Sequence, residues 1–215
     1  TRRRATPVAA TRPGRRETTK TSKSLPIKRV FSDTKVKPFE QIEWDRRTAE
    51  ITDDGGKVIF KQENVEVPKS WSALATKIAV SKYFYGDVAK GTDPYKGGRE
   101  RSVKQMIGRV VDTIGGWGRQ GAYFATTDEA ETFEAELKAI LVNQIASFNS
   151  PVWFNVGFEE KPQCSACFIN SVQDTMSSIM DLAKTEAMLF KFGSGAGSNL
   201  STIRSSKGRM SGGGI

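Results

Sequence analysis

The feature that most limits how this chain can fold is the uneven placement of its charge. The formal net charge of the 215 residues is +9, and residues 1–30 hold ten Arg and Lys residues against a single acid, Glu17. Subtracting these from the 33 bases and 24 acids of the whole chain leaves 23 of each, so the rest is neutral. Residues 1–30 are rich in Thr, Ser, Pro and Arg and have little apolar surface to bury. We therefore predict that this basic tail is disordered.

The composition excludes several classes of function. Histidine is absent, which removes the commonest metal ligand and general base and the Ser/His and Cys/His nucleophile pairs. Cys164 and Cys167 are too few for a structural zinc site or a disulfide framework. The sequence shows neither an apolar run of membrane-spanning length nor a signal-peptide segment. We therefore expect a cytoplasmic protein with no membrane contact and no metal site.

Residues 31–148 are predicted to form a helical region with one small hairpin. Two adjacent glycines tolerate positive φ between apolar runs, which predicts the hairpin over 49–60. Apolar residues at helical spacing predict three helices in the same region. The first covers 71–84 with Ser70 as its N-cap, the second runs from Val103 until Gly115 and Gly116 stop it, and the third begins at a capping box of Thr126 and Glu129.

A domain boundary is predicted at 148–151, where Pro151 disfavours continued helix and an aromatic run follows. Beyond it, 165–169 is strand-like, and Asp174 is a suitable N-cap for a helix that reaches about Lys191. A glycine loop and a short strand over 200–204 complete the pattern. The order strand, helix, strand predicts the beginning of an α/β unit.

The spacing of Cys164 and Cys167 admits three interpretations. C-x-x-C is the spacing of a dithiol redox motif, which would make the chain a stand-alone thiol oxidoreductase. If 164–169 is a strand, residues three apart point to opposite faces, and Cys167 needs a partner elsewhere. Either cysteine is also explained as a small buried hydrophobic residue.

Two further segments keep both a structural and a functional interpretation. The glycine loop over 192–198 lets backbone amides approach a ligand, but its spacing matches neither common phosphate-binding loop, and a structural turn explains it equally well. The basic tail could bind nucleic acid through counterion release, or act as an organelle transit sequence, because it is basic, rich in hydroxyl groups and poor in acids. It contains no aromatic residue for base stacking, however, and we favour a solubilising extension without a nucleic-acid partner.

Five strings occur in a fixed order in the C-terminal third: FNSPVWFNVG at 148–157, QCSACFI at 163–169, DTMSSI at 174–179, GSGAGSNLS at 193–201 and IRSS at 203–206. In order and spacing they closely resemble class II ribonucleotide reductases, which depend on adenosylcobalamin. The strings at 44–47, 65–71 and 81–84 resemble the helical N-terminal region of the same enzymes. The resemblance covers about residues 38–215.

The resemblance implies an α/β fold in which a helical N-terminal region precedes a ten-stranded barrel built from two half-barrels. Residues 31–148 would supply the helical region, and 149–215 the first elements of the catalytic barrel, which is incomplete here. In this family the radical centre lies further along the chain, so we expect these 215 residues to be inactive alone. No sign of a separate ATP-binding regulatory domain precedes the helices.

The family reduces ribonucleotides, here expected to be diphosphates, to 2′-deoxyribonucleotides for DNA synthesis. Adenosylcobalamin, bound mainly by the complete barrel, generates a cysteine thiyl radical, and two further cysteines deliver electrons as they form a disulfide. By its Ser-Ala-Cys-Phe context, Cys167 matches the first of those two, with its partner beyond residue 215. The resemblance places Ser150, Ala166, Cys167 and Gly195 at the substrate, and Asp174 and Arg204 at an allosteric nucleoside triphosphate.

The resemblance also implies a set of partners. These are the ribonucleotide substrate, the nucleoside triphosphate effector and a thioredoxin-like reductant, and a homodimer is a candidate assembly. Simpler roles remain open for two of the residues, because an N-cap is sufficient for Asp174 and a solvated strand end for Arg204. Cys164 is not required by the family motif.

Overall fold

The structure is a computed structural model that describes Ser24 and residues 26–209. Most of the segment predicted to be disordered, residues 1–23 and Leu25, lies outside the described residues, as do residues 210–215. None of the helices in the described part combines the length and apolar character needed to cross a bilayer. Within the same ranges, no three acidic or cysteine side chains are grouped so that they could hold a metal ion.

The hairpin is confirmed and is longer than predicted. Strand β1 covers Trp44–Thr52 and strand β2 covers Val58–Pro68, paired antiparallel from Trp44↔Pro68 to Thr52↔Val58. At the turn, the Asp53 carboxylate accepts hydrogen bonds from the backbone amides of Gly55 and Lys57 at 3.0 and 2.9 Å, and Gly56 has a φ of 80°. This local side-chain bonding, with a glycine in the left-handed region, fixes the turn.

Helix α1 is shorter than predicted and covers Ala73–Ile78. Its N-cap is Ser72, whose hydroxyl accepts a hydrogen bond from the Ala75 amide at 3.0 Å, so the prediction of Ser70 is wrong. The physical reason is Trp71, which is buried before the helix begins and donates its indole N–H to the Val142 carbonyl at 2.8 Å. The chain then continues as a single π-helical turn over Ala79–Tyr83.

Two long helices form an antiparallel pair, α2 over Val103–Gln120 and α3 over Thr127–Val142. The prediction that Gly115 and Gly116 end α2 is wrong. Gly115 is buried against α3, and a Cβ at this position would lie 2.1 Å from the Glu134 carboxylate. A side chain here would require the Glu134 side chain to move, so this glycine lies at the packed face between the two helices and does not end α2.

The predicted capping box at the start of α3 is confirmed at Thr126, whose hydroxyl accepts a hydrogen bond from the Glu129 amide at 3.1 Å. The Glu129 carboxylate, however, accepts from the Ala125 amide at 2.6 Å, one residue earlier than a standard box. Both bonds satisfy amides at the entry to the helix.

The segment before the hairpin is anchored to α3 by one carboxylate. Glu136 is buried and accepts hydrogen bonds from the backbone amides of Val30, Phe31 and Ser32 at 2.8–2.9 Å. Burial by itself would raise the pKa of Glu136, but these bonds and that from the Ser32 hydroxyl outweigh it and hold the pKa below its ordinary value. The carboxylate is thus held in its charged form.

The remaining elements are helix α4 over Ser150–Asn155, strand β3 over Cys167–Ser171, helix α5 over Met176–Lys191 and strand β4 over Gly195–Asn199. Strands β3 and β4 pair in parallel, which confirms the predicted α/β unit. Two local predictions are wrong. The second strand lies inside the glycine segment and not at 200–204. Asp174 does not cap α5, because the Thr175 hydroxyl accepts from the Ser178 amide at 3.3 Å. The prediction that no helix continues through Pro151 is confirmed, since α3 ends at Val142 and Pro151 lies in the first turn of a new helix.

A buried ion pair joins the elements of the N-terminal core. The Arg109 guanidinium on α2 donates to the Glu100 carboxylate at 2.8 and 3.2 Å, and both side chains are almost fully buried. Arg109 also donates to the carbonyls of Trp153 and Val156 at the C-terminal part of α4, at 3.2 and 2.6 Å. Around the pair the core is formed by Val65, Val67, Val80, Val103, Ile107, Val110, Val142 and Val152.

We expect Arg109→Met to lower the free energy of unfolding by about 3–5 kcal/mol, because it leaves the Glu100 carboxylate buried without its charge partner. Urea unfolding of the chain measures the change. The matched control is Lys69→Met, which removes one partner of the exposed Glu43–Lys69 pair at 2.8 Å and should leave the unfolding midpoint unchanged. Equal effects of the two variants would contradict the role assigned to the buried pair.

A second prediction concerns Gly157, which has a φ of 95° and would place a Cβ 2.3 Å from Cγ of Arg109. We expect Gly157→Ala to combine backbone strain of about 1–2 kcal/mol with an overpacking cost of about 1–3 kcal/mol. Gly56→Ala is the control, because Gly56 also has positive φ but a Cβ there would meet no atom within 4 Å. Thermal unfolding should rank the alanine variant at 157 well below that at 56.

Candidate functional site

Cys167 lies at the start of β3 on the open face of the two-stranded parallel sheet. Exposure alternates along both strands, so that Cys167 and Ile169 are exposed while Phe168 is partly covered. Cys167 pairs with Gly195 across the sheet, and the Gly195 amide donates to the Ala166 carbonyl at 2.6 Å. Registered residues of a parallel pair share a face, so the Cys167 thiol lies beside a residue with no side chain.

Helix α5 packs on the opposite face of the same sheet. Ser198, on the partly covered side of β4, donates its hydroxyl to the Glu186 carboxylate of α5 at 2.5 Å. Phe168 and Ala196 alternate to the same side. The helix therefore leaves the face that carries Cys167 and Gly195 open.

Helix α4 is connected to this sheet by Asn155 and by the end of α5. The Asn155 side-chain amide donates to the carbonyls of Gln163 and Phe192 at 2.9 and 3.2 Å. Gly193 follows with a φ of 81°, and a Cβ there would lie 2.8 Å from the Phe154 ring. The entry to β3 and the entry to β4 are therefore both fixed against one short helix.

Ser150 begins α4 and hydrogen-bonds a residue that the sequence did not indicate as functional. The hydroxyls of Ser150 and Tyr83 are 3.1 Å apart, although the two residues are 67 positions apart in the chain. Within the described residues, hydrogen bonds connect helix α4 to the segment that leads into β3, but the Ser150 side chain makes none of these bonds. The only sequence signal near Tyr83 was the family-like string at 81–84, which gave it no role.

The two cysteines have different environments. Cys167 is exposed, whereas Cys164 is partly buried against the edge of the N-terminal core, and its thiol contacts the Pro162 carbonyl at 3.7 Å. Both are free thiols. Burial raises the pKa of the Cys164 thiol, which lowers its reactivity at neutral pH. The structure thus favours the interpretation of Cys164 as a small apolar residue.

Asp174 and Arg204 are brought together at the other end of the sheet. Asp174 follows β3, Arg204 follows β4, and the Arg204 Nε donates to the Asp174 carboxylate at 2.6 Å. Arg204 also donates to the Arg209 carbonyl at 3.1 Å. The ion pair is partly exposed.

The chain is similar to several known proteins. A family model described as class II vitamin B12-dependent ribonucleotide reductase matches residues 45–144, and a model of the ribonucleotide reductase barrel domain matches residues 165–215. The vitamin B12-dependent ribonucleotide reductase of Rhodopirellula baltica is 48% identical over 205 residues, which cover 82% of this chain and 19% of the relative. That of Streptomyces coelicolor is 49% identical over 204 residues, covering 94% of this chain and 20% of the relative.

A more distant match is the ribonucleoside-diphosphate reductase large subunit of African swine fever virus, 37% identical over 76 residues that cover 35% of this chain and 10% of the viral protein. The chain spans about a fifth of the length of the bacterial relatives it matches. Two family models together match the helical region and the strand pair that carries Cys167. The chain belongs to the family of class II vitamin B12-dependent ribonucleotide reductases.

Proposed function

We propose that the complete protein reduces ribonucleoside diphosphates to 2′-deoxyribonucleoside diphosphates, and that Cys167 is one of its two reductant thiols. The observation that supports this role is the strand register, which pairs Cys167 with Gly195 and so puts the thiol beside a residue without a side chain. A glycine beside the thiol leaves room for a sugar to approach the strand. We further propose that residues 149–215 begin a ten-stranded barrel and that 31–148 form the helical region before it.

The proposed reaction takes its two electrons from two thiols. The ribonucleotide 2′-hydroxyl leaves as water, a hydrogen takes its place, and the two electrons come from two cysteines that are joined as a disulfide. A thioredoxin-like dithiol then reduces this disulfide. We propose that the second cysteine lies beyond residue 215 and that these 215 residues alone do not turn over, because the other cysteine among them, Cys164, is partly buried with a raised pKa.

The cofactor of this family is adenosylcobalamin, which when bound supplies the radical that begins the reaction. We propose that the complete barrel holds it and that the described residues act on the substrate.

For the substrate we propose contacts from Ser150, Ala166, Cys167 and Gly195. Ala166 and Gly195 are joined by a backbone hydrogen bond at 2.6 Å, which brings the backbone of β4 beside the residue that precedes Cys167. Ser150 belongs to α4, which Asn155 fixes to the entry of β3. These contacts support a substrate floor that spans α4 and the sheet.

For the effector we propose that Asp174 and Arg204 bind the ribose and the phosphates of a nucleoside triphosphate. A carboxylate suits ribose hydroxyls and a guanidinium suits phosphate oxygens. The ion pair between them, at 2.6 Å, supports the proposal because it places both groups at one point after the two strands. We propose a cytoplasmic homodimer as the assembly.

The assignment of Cys167 predicts that Cys167→Ser abolishes deoxyribonucleotide formation by the full-length protein, whereas Cys164→Ser leaves the rate close to that of the unaltered protein. The physical reason is that the Cys167 thiol lies beside Gly195, whereas the Cys164 thiol packs against the N-terminal core and burial raises its pKa. The measurement is turnover of CDP with adenosylcobalamin and a dithiol reductant.

Peptide mapping after one turnover without external reductant gives an independent check. Cys167 should be joined to a cysteine beyond residue 215, while Cys164 remains free and reacts slowly with iodoacetamide because burial raises its pKa. A disulfide between Cys164 and Cys167 would instead favour a stand-alone thiol oxidoreductase.

The effector assignment predicts that Arg204→Met weakens binding of a nucleoside triphosphate to the full-length protein by about 10- to 100-fold, as expected for the loss of hydrogen bonds to a charged group. Lys207→Met is the control, because it removes the same charge from an exposed residue of the same segment. Equilibrium dialysis with dATP or dTTP measures both. Equal weakening in the two variants would indicate general charge attraction and contradict a specific role for Arg204.

A further inference from the structure

The hydrogen bond between Tyr83 and Ser150 joins the helical region to the proposed substrate floor. The two hydroxyl oxygens are 3.1 Å apart, and both residues are only partly buried. Tyr83 also lines a cavity of about 280 Å³ together with Trp71 and Trp153. The tyrosine therefore stands between an open space and the first residue of α4.

Tyr83 lies at the end of an uncommon backbone conformation. Tyr83 ends the π-helical turn over Ala79–Tyr83, and the Phe84 amide donates to the Ala79 carbonyl at 3.0 Å. Phe84 is buried directly after the turn. Single π-helical turns are rare in proteins, and those that do occur are often found at functional sites.

The aromatic ring of Tyr83 is held by packing on α4. Its centroid lies 5.6 Å from that of Phe154 and 6.4 Å from that of Trp153. Phe154 in turn fills the space beside Gly193, two residues before Gly195. The ring therefore packs on α4 while its hydroxyl lies at hydrogen-bond distance from that of Ser150.

We propose that Tyr83 is a positioning residue that sets the direction of the Ser150 hydroxyl for the ribonucleotide. When the Tyr83 hydroxyl donates to Ser150 Oγ, the Ser150 proton is free to be donated to an acceptor oxygen of the substrate. Without Tyr83 the Ser150 hydroxyl rotates among its staggered positions, and part of the binding free energy is spent on ordering it. This inference rests on the proposed function, in which Ser150 contacts the substrate.

The test uses full-length protein and Tyr83→Phe, which removes the hydroxyl and keeps the ring that packs on α4. Binding of CDP without cobalamin should weaken by about 2- to 10-fold, as expected for one neutral hydrogen bond. In turnover assays the same factor should be found in KM, with kcat within about 2-fold, because a uniform binding contact is lost. Tyr123→Phe is the control, since Tyr123 is 61% exposed in the turn between α2 and α3 and should change neither value.

A double-mutant cycle with Ser150→Ala tests whether Tyr83 acts through Ser150. If it does, the Tyr83→Phe/Ser150→Ala variant binds CDP no more weakly than Ser150→Ala alone. Additive losses would overturn the inference and indicate a separate structural effect, and so would unchanged CDP binding by Tyr83→Phe.

The outcome for the inference is separable from that for the proposed function. If the unaltered full-length protein neither binds nor reduces ribonucleotides, the proposed function fails. If it does both and the Tyr83→Phe variant behaves as the unaltered protein does, only the inference about Tyr83 fails.

Discussion

The buried pair of Glu100 and Arg109 is the interaction on which the described structure most depends. One guanidinium neutralises one carboxylate and also satisfies two carbonyls of α4, while the Glu100 carboxylate accepts the Tyr85 amide at 2.8 Å and its backbone carbonyl accepts the Gln62 side chain at 2.8 Å. Strand β2, helix α2 and helix α4 therefore meet at one charged point. Desolvating two charges is costly, and the cost is offset only where, as here, the remaining donors and acceptors are also satisfied.

Helix α4 connects this ion pair to the parallel sheet. Arg109 fixes the C-terminal part of α4. Asn155, in the last turn of α4, donates to the Gln163 carbonyl before β3 and to the Phe192 carbonyl after α5. Each contact is a polar bond to a backbone carbonyl, which specifies distance and direction more sharply than apolar packing does. The thiol of Cys167 is thus placed relative to the helical region by a short series of directional bonds.

Local chemistry was predictable from the sequence, whereas contacts between distant segments were not. The hairpin turn and the Thr126 cap are confirmed because neighbouring residues determine them. Gly115 was misinterpreted because the atoms that a side chain there would meet belong to Glu134 on another helix. The cap of α5 was placed one residue early, at Asp174 and not at Thr175, and the Asp174 carboxylate pairs with Arg204, 30 residues away. Strand β4 was placed too late because glycine has low strand propensity, and only the partner strand β3 supplies its hydrogen bonds. In the candidate site, the motif indicated Cys167, but no pattern could indicate that Tyr83 reaches Ser150.

The π-helical turn at Ala79–Tyr83 makes the length of that segment as important as its residue types. The hydrogen bond that closes it joins residues five positions apart, one more than in an α-helical turn. Losing one residue would restore the α-helical register and rotate the side chains that follow by about 100° around the axis. The Tyr83 side chain would then point away from α4, although Tyr83 and Ser150 were both still present in the sequence. A homologue with one residue fewer in this segment would therefore lack the contact between Tyr83 and Ser150, although its amino-acid composition would be nearly the same.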